Sequence, residues 1–309
     1  MNQSFTPREF IDKINADNPG PAFDPYGVEG LIIKKQEEDS GADLLARAKA
    51  ELAEEKAKDT PEGKVAELER QIEAMKNWLI EDGRYTPKKV NNIIQSLKVE
   101  YNEETQQAEV LGNLHLIGLT SAEGLELPDS IGGSLGLDSL TSAKDLKLPT
   151  SIGHGLYLFN LASAEDLQLP DSIGGDLGLI RLTSAEDLQL PDFIGGSLLL
   201  NSLKSAKHLQ LPDNISGHLN LRSLKSAEGL QLPDSIGRDL YLSGLTSAEG
   251  LQLPDFIGGN LDLRSLTSAE GLELPASAGR LFLQSLTSAE RDQLRAQRPD
   301  LAGKIYPKD

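Results

Sequence analysis

The sequence predicts an α+β chain in which a small α-helical domain precedes a parallel β-solenoid. Three observations carry this reading. From Gly112 the chain divides into units of 21 residues starting at 112, 133, 154, 175, 196, 217, 238 and 259, with a degenerate ninth near Arg280 after a one-residue deletion. Each unit holds two L-x-L pairs, whose period of two suits a strand with one buried face. Residues 1–110 contain no copy of the repeat and show helical spacing instead. The expected boundaries are 1–110 for a helical capping domain with an irregular linker, 111–287 for about eight repeats, and 288–309 for a C-terminal helical cap and tail.

In the N-terminal part, Thr followed by Pro occurs at Thr6-Pro7, Thr60-Pro61 and Thr86-Pro87. Thr caps exposed amides and Pro suits the first helical position, so each pair predicts a helix start. Over 61–82 an apolar stripe runs through Val65, Leu68, Ile72, Met75 and Leu79. The Ala-rich segment 42–58 precedes it across a short turn, which suggests a helical hairpin, and 87–98 offers a third short helix with Val90, Ile94 and Leu97. Segment 17–30, "DNPGPAFDPYGVEG", reads as irregular. Segment 97–112 reads as strand, turn, strand leading into the first coil. These helices are expected to cover the open end of the Leu column. At the other end "SAERDQLRAQR" (288–298) abandons the Leu pattern for a capping helix that stops before Pro299.

Within the repeat the consensus is G-x-L-x-L-x-x-L-[TK]-S-A-[EK]-x-L-x-L-P-[DT]-x-I-G. In the fourth unit the inward positions are Leu177, Leu179, Leu182, Ala185, Leu188, Leu190 and Ile194. Asp176–Leu182 is expected as the first strand and Asp187–Leu190 as the second, with corners at "TSA" and "PDFIGG". Pro191 ends a strand because it cannot donate to a ladder. No unit closes a core alone, and stacking buries a continuous column. With strands about 4.8 Å apart, eight coils make a rod roughly 40 Å long. The phrases "LPDSIGG" and L-x-L-x-x-L at this period resemble the leucine-rich repeat, and "IGG-x-L-x-L-x-x-L" is similar to the receptor L domain, over about Leu111 to Glu290. Where the leucine-rich repeat has its ladder-forming Asn, this chain has Leu119, Leu140, Leu161, Leu182 and their successors. The resemblance implies a binding scaffold and no chemistry.

Composition narrows the function. The chain has 309 residues and no cysteine, which excludes disulfides, thiolate metal sites and a cysteine nucleophile. The net charge of −18 repels phosphate backbones and anionic lipid, so neither nucleic acid nor membrane is an expected partner. The N-terminus shows no basic region followed by an apolar one, and the expected location is the cytoplasm, with export lacking a recognisable signal left open. His115, His154, His208 and His218 fall in different registers, which disfavours a His metal site, and no phosphate-cradling glycine loop is present. No catalytic residue, cofactor or metal is expected. Two acidic rows, Glu123 to Glu270 and Asp129 to Asp255, read as solvated corners and turn caps rather than Ca²⁺ sites, and the row from Gln168 to Gln252 reads as an amide ladder.

What varies is the outward side of the first strand. One series is His115, Gly136, Tyr157, Gly178, Leu199, Asn220, Tyr241, Asp262 and Phe282, and the other is Ile117, Asp138, Phe159, Ile180, Asn201, Arg222, Ser243, Arg264 and Gln284. Ile117, Tyr157, Phe159, Ile180 and Leu199 form an apolar run of the kind that marks a contact site. The expected function is a non-enzymatic scaffold binding a protein or peptide through His115, Ile117, Tyr157, Phe159, Ile180, Leu199, Arg222, Tyr241 and Arg264. The alternatives are a β-helical polysaccharide-active enzyme, for which Asp262, Arg222 and Arg264 are the best local set, and a self-assembling rod.

Overall fold

The computed structural model describes residues 39–104 and 106–308, with side chains from residue 46. The Thr6-Pro7 helix start and the irregular segment 17–30 lie outside the described residues. The chain forms two compact units, Met1–Lys64 and Val65–Asp309.

In the first unit, α1 (Asp39–Lys58) carries Lys56 and Lys58 in its last turn, where the negative end of the helix dipole favours them. Thr60 then opens α2 (Pro61–Glu81): its hydroxyl donates to the Ala57 carbonyl at 2.7 Å and accepts the Gly63 amide at 3.0 Å. Gly63 admits no larger residue, since an added Cβ would lie 1.8 Å from the Ala57 oxygen.

The second unit takes up α2 from Val65. Met75 and Leu79 of α2, Tyr85, and Val90 of α3 (Pro87–Gln95) share one core with Leu114 and the rest of the solenoid column. Hydrogen bonds fix this N-terminal cap. Gln71 accepts the Asp129 amide at 2.9 Å and donates to its carboxylate at 2.7 Å, and Arg84 reaches the Thr120 hydroxyl at 3.0 Å. The strand–turn–strand is an antiparallel hairpin, β1 (Lys98–Asn102) with β2 (Gln107–Leu111). Beneath it Leu68 and Ile72 pack on Ala108 and Val110.

From there the fold is a parallel β-solenoid of 21-residue coils. Its front sheet has ten strands, from Leu114–His115 to Leu281–Phe282 and Ile305–Tyr306. Its back sheet has nine: the hairpin, then Ser130–Ile131 through Phe256–Ile257. Coil-to-coil register follows the repeat, Leu177 pairing with Leu198 and Leu198 with Leu219, and shortens by one at the deletion, where Leu261 pairs with Leu281. The column between the sheets is Leu, Ile and Ala, and Leu177, Leu179, Leu182 and Ile194 are wholly buried. Burying one such side chain contributes about 1.5–3 kcal/mol, repeated in every coil.

The second strand lies elsewhere than the L-x-L pattern suggests. Asp187–Leu190 forms no strand; the back-sheet strand of that coil is Phe193–Ile194, inside the expected corner. The reason is Asp187, whose φ of 61° turns the chain into the left-handed region, with the Leu188 amide bonded back to the Ala185 carbonyl. The same register holds Gly124, Asp145, Asp166, His208, Gly229, Gly250 and Gly271, all at positive φ, and Gly and Asp adopt that conformation most readily. Ahead of it the "TSA" corner is a repeated Ser turn: Ser184 accepts the Glu186 amide at 3.1 Å, and Ser121 through Ser268 do likewise. The first strand is also shorter than Asp176–Leu182, spanning Leu177–Gly178. Leu190 is only half-buried, and the Gln row is exposed with no hydrogen bond joining its members among the described residues. Exposed amides have water as a partner, so the expected ladder gains nothing by forming.

A different ladder holds the coils in register. In the position before the first Leu, the side chain accepts the amide of the same position one coil later, except at Gly155, which has no side chain to accept. Asn113 takes Ser134 at 2.8 Å, Ser134 takes Gly155 at 3.1 Å, and Asp176 takes Ser197 at 2.6 Å. The ladder continues as Ser197 takes His218 at 3.1 Å, His218 Nδ1 takes Asp239 at 3.1 Å, and Asp239 takes Asn260 at 2.5 Å. This chain thus builds its polar ladder from mixed acceptors at a corner.

The C-terminal end is closed by α4 (Ser288–Gln297), started by a capping box between Thr287 and Glu290. Arg298 donates to the Leu274, Pro275 and Ala276 carbonyls at 3.1, 2.7 and 3.2 Å, and Lys304 to that of Ala278 at 2.7 Å. Leu294, Leu301 and Ile305 finish the column.

Candidate functional site: the front sheet

Strand pairing places the first outward series in one row. His115 lies beside Gly136, then Tyr157, Gly178, Leu199, Asn220, Tyr241, Asp262 and Phe282, and Tyr306 extends the row by one. The second series follows two residues later in each coil. All nine sequence-predicted contact residues therefore stand on one sheet face, but they are not equally free. Ile117 is 61% exposed, Arg222 and Arg264 are exposed, and His115, Tyr157, Phe159, Ile180, Leu199 and Tyr241 are half-buried by neighbouring coils.

The half-burial has a simple cause: large side chains lie over small ones in the next coil. A Cβ on Gly136 would meet His115 Nδ1 at 2.2 Å, and one on Gly178 would meet the Phe159 ring at 2.3 Å. Tyr157 and Phe159 pack together with ring centroids 5.3 Å apart. This gives the N-terminal half of the face an apolar run over Tyr157, Phe159, Ile180 and Leu199, from which Ile117 is separated by the coil of Gly136 and Asp138. Burial pushes the Tyr157 hydroxyl pKa up, and the Asp176 charge adds to the shift.

The C-terminal half differs. Asp262 is only 3% exposed, and Arg264 lies across it with Nε at 2.9 and 3.0 Å from the two carboxylate oxygens and Nη2 at 2.7 Å from one. That hydrogen-bonded pair raises the pKa of the Arg264 guanidinium. Tyr241 donates to Asp239 Oδ2 at 2.9 Å, and its ring packs 6.0 Å from that of His218. Burial and then the Asp239 hydrogen bond raise the Tyr241 pKa. In this half Asp262 is satisfied by Arg264 and Tyr241 by Asp239.

Two polar atoms in the N-terminal half are not. Asp138 Oδ1 and Asn201 Oδ1 are buried and have no hydrogen-bond partner among the described residues. Burial raises the Asp138 carboxyl above its ordinary value, with the nearby His115 and a hydrogen bond to its own backbone only partly offsetting the shift. Among the described residues no three His, Asp or Glu side chains are grouped to hold a metal ion, and no helix is long and apolar enough to cross a membrane.

Sequence reasoning missed the back sheet. Phe193 and Phe256 are 52% and 50% exposed in a row otherwise made of Ser and Asn. The signal was present, since "PDFIGG" in two units replaces "PDSIG" in three others. The corner ladder was equally visible as a column of Asn, Ser, Asp and His ahead of the first Leu.

The fold and face together define a class: a solenoid of 21-residue coils, closed at both ends, with one variable sheet. Comparison with protein-family models, curated proteins and solved structures finds no match.

Proposed function

We propose that this chain is a non-enzymatic interaction scaffold that docks a protein partner on the front sheet. The apolar run over Tyr157, Phe159, Ile180 and Leu199, with Asp138 beside it and Ile117 one coil further, carries this reading, because aromatic anchors beside polar groups are the usual make-up of a binding hot spot. The bidentate Asp262–Arg264 pair supports a non-enzymatic reading, since a carboxylate so engaged is poorly placed to accept or deliver a proton. Closed solenoid ends favour a discrete binder over a growing rod. We further read the coil as kin to leucine-rich repeats and receptor L domains, with its polar ladder moved to the corner, and place its work in the cytoplasm.

The test compares two double variants in extracts of the host. Tyr157→Ala/Phe159→Ala should weaken capture of the partner by about 2 kcal/mol or more. Phe193→Ser/Phe256→Ser should leave capture intact. The reverse outcome would move the binding surface to the back sheet.

A further inference from the structure

The row Asp138, Phe159, Ile180, Asn201 occupies one register of four consecutive coils. It begins and ends on a buried oxygen without a hydrogen-bond partner among the described residues, with two apolar side chains between. Leaving such an acceptor unpaired is costly, and more so when the group is charged. Elsewhere on the same face the chain shows how a carboxylate is satisfied: Arg264 spreads its guanidinium over Asp262. Asp138 has no such cation. Its charged and titratable neighbours are His115 and Tyr157, and the chain as a whole carries a charge of −18, which draws basic partners.

Resting on the front-face reading, we propose that the partner presents a basic side chain, an arginine by the chemistry of the Asp262 site, that docks on Asp138 against the Tyr157–Phe159 pair, while an adjoining apolar stretch covers Phe159 and Ile180 and a hydrogen-bond donor reaches Asn201. A guanidinium suits this place twice over. Its hydrogen bonds to a carboxylate are charge-assisted, and its flat face stacks on aromatic rings. The distances set the spacing. Three coil steps span about 14 Å, which an extended segment covers in about four residues, so the basic residue and the donor are expected about four positions apart.

The test uses a random twelve-residue displayed peptide library on the full-length protein. The recovered peptides should carry Arg, or less often Lys, next to aliphatic or aromatic residues. A recovered peptide made synthetically should bind Asp138→Asn at least tenfold more weakly than the parent, and its Arg→Gln form should lose a similar factor on the parent but little on the variant. Glu228→Gln, which removes a charge from an exposed corner, should change affinity less than threefold. Peptides without a basic residue, equal binding to Asp138→Asn, or failure to recover any peptide would overturn the proposal. The underlying reading fails separately: it falls if recovered peptides bind Tyr157→Ala/Phe159→Ala as tightly as the parent, and stands if they lose that binding yet ignore Asp138→Asn.

Discussion

The two sheets of each coil face solvent under different rules. On the back sheet the outward residues vary less: Ser130, Ser151, Ser172 and Ser235 are interrupted by Phe193, Asn214 and Phe256, and Gly follows each Ile except at Ser216. On the front sheet the outward residues change in every coil. Sterics account for the constancy. A Cβ on Gly153, Gly174, Gly195 or Gly258 would lie 2.0–2.3 Å from a carbonyl oxygen of the preceding coil. Backbone meets backbone there, and Ser216 is the one larger residue in that register. On the front sheet the obstacles are the far ends of side chains, which can swing away. Variation is therefore tolerated on the front sheet for physical reasons alone. The apolar stack and the unpaired Asp138 oxygen, rather than variability, single out its N-terminal half.

The sharpest way to break this comparison uses two glycines of one coil. Gly174→Ala should destabilise by about 3 kcal/mol, because overpacking against a backbone carbonyl forces two coils apart. Gly178→Ala should cost less than about 1 kcal/mol, since only the Phe159 and Tyr157 side chains, and no backbone, must give way. Denaturant melts of both variants decide it, and equal costs would remove the distinction between the sheets.

The next effect lies at the seam, where the corner ladder joins one sheet to the other. Asp176→Ala leaves the buried Ser197 amide without its acceptor and should cost about 1–3 kcal/mol, with Asp176→Asn recovering most of the loss. Smaller still is the left-handed corner. Asp187→Ala should cost about 1 kcal/mol and Asp187→Gly should cost nothing or stabilise, as Gly does natively at Gly124 and Gly229. Smallest of all, Phe193→Ser should leave stability within about 0.5 kcal/mol, because the side chain is 52% exposed and Ser is the usual residue of that row.

The repeat made the core and both caps legible. Leu, Ile and Ala recur at fixed positions, and a helix-compatible stripe from Val65 to Leu79 stands where the column needs covering. The front face was legible because L-x-L keeps its pleat through Leu156 and Leu158. The second strand was misplaced because "DLQL" has the same alternation, and one left-handed residue, Asp187, overrides it. The ladder of Asn113, Ser134, Asp176 and His218 went unread because its members share an accepting role rather than a residue type. The condition of Asp138 was beyond sequence reading altogether. It depends on which side chains of coils 21 residues away lie over its carboxyl.

That carboxyl offers the most direct test. Burial raises its pKa in the folded protein above the unfolded value. Asp138 therefore contributes most stability when protonated, below the ordinary carboxylate range, and loses that contribution as pH rises through the raised pKa. A side chain kept for a partner should weaken the fold that bears it. The decisive measurement is the melting temperature of Asp138→Asn against the parent across pH. The variant should melt higher at pH 7, by about 1 °C or more, with the gap closing toward pH 3. A variant that melts lower at pH 7 would mean that the carboxylate already has a stabilising partner within the chain, and the front face would lose its claim to an open place for a cation.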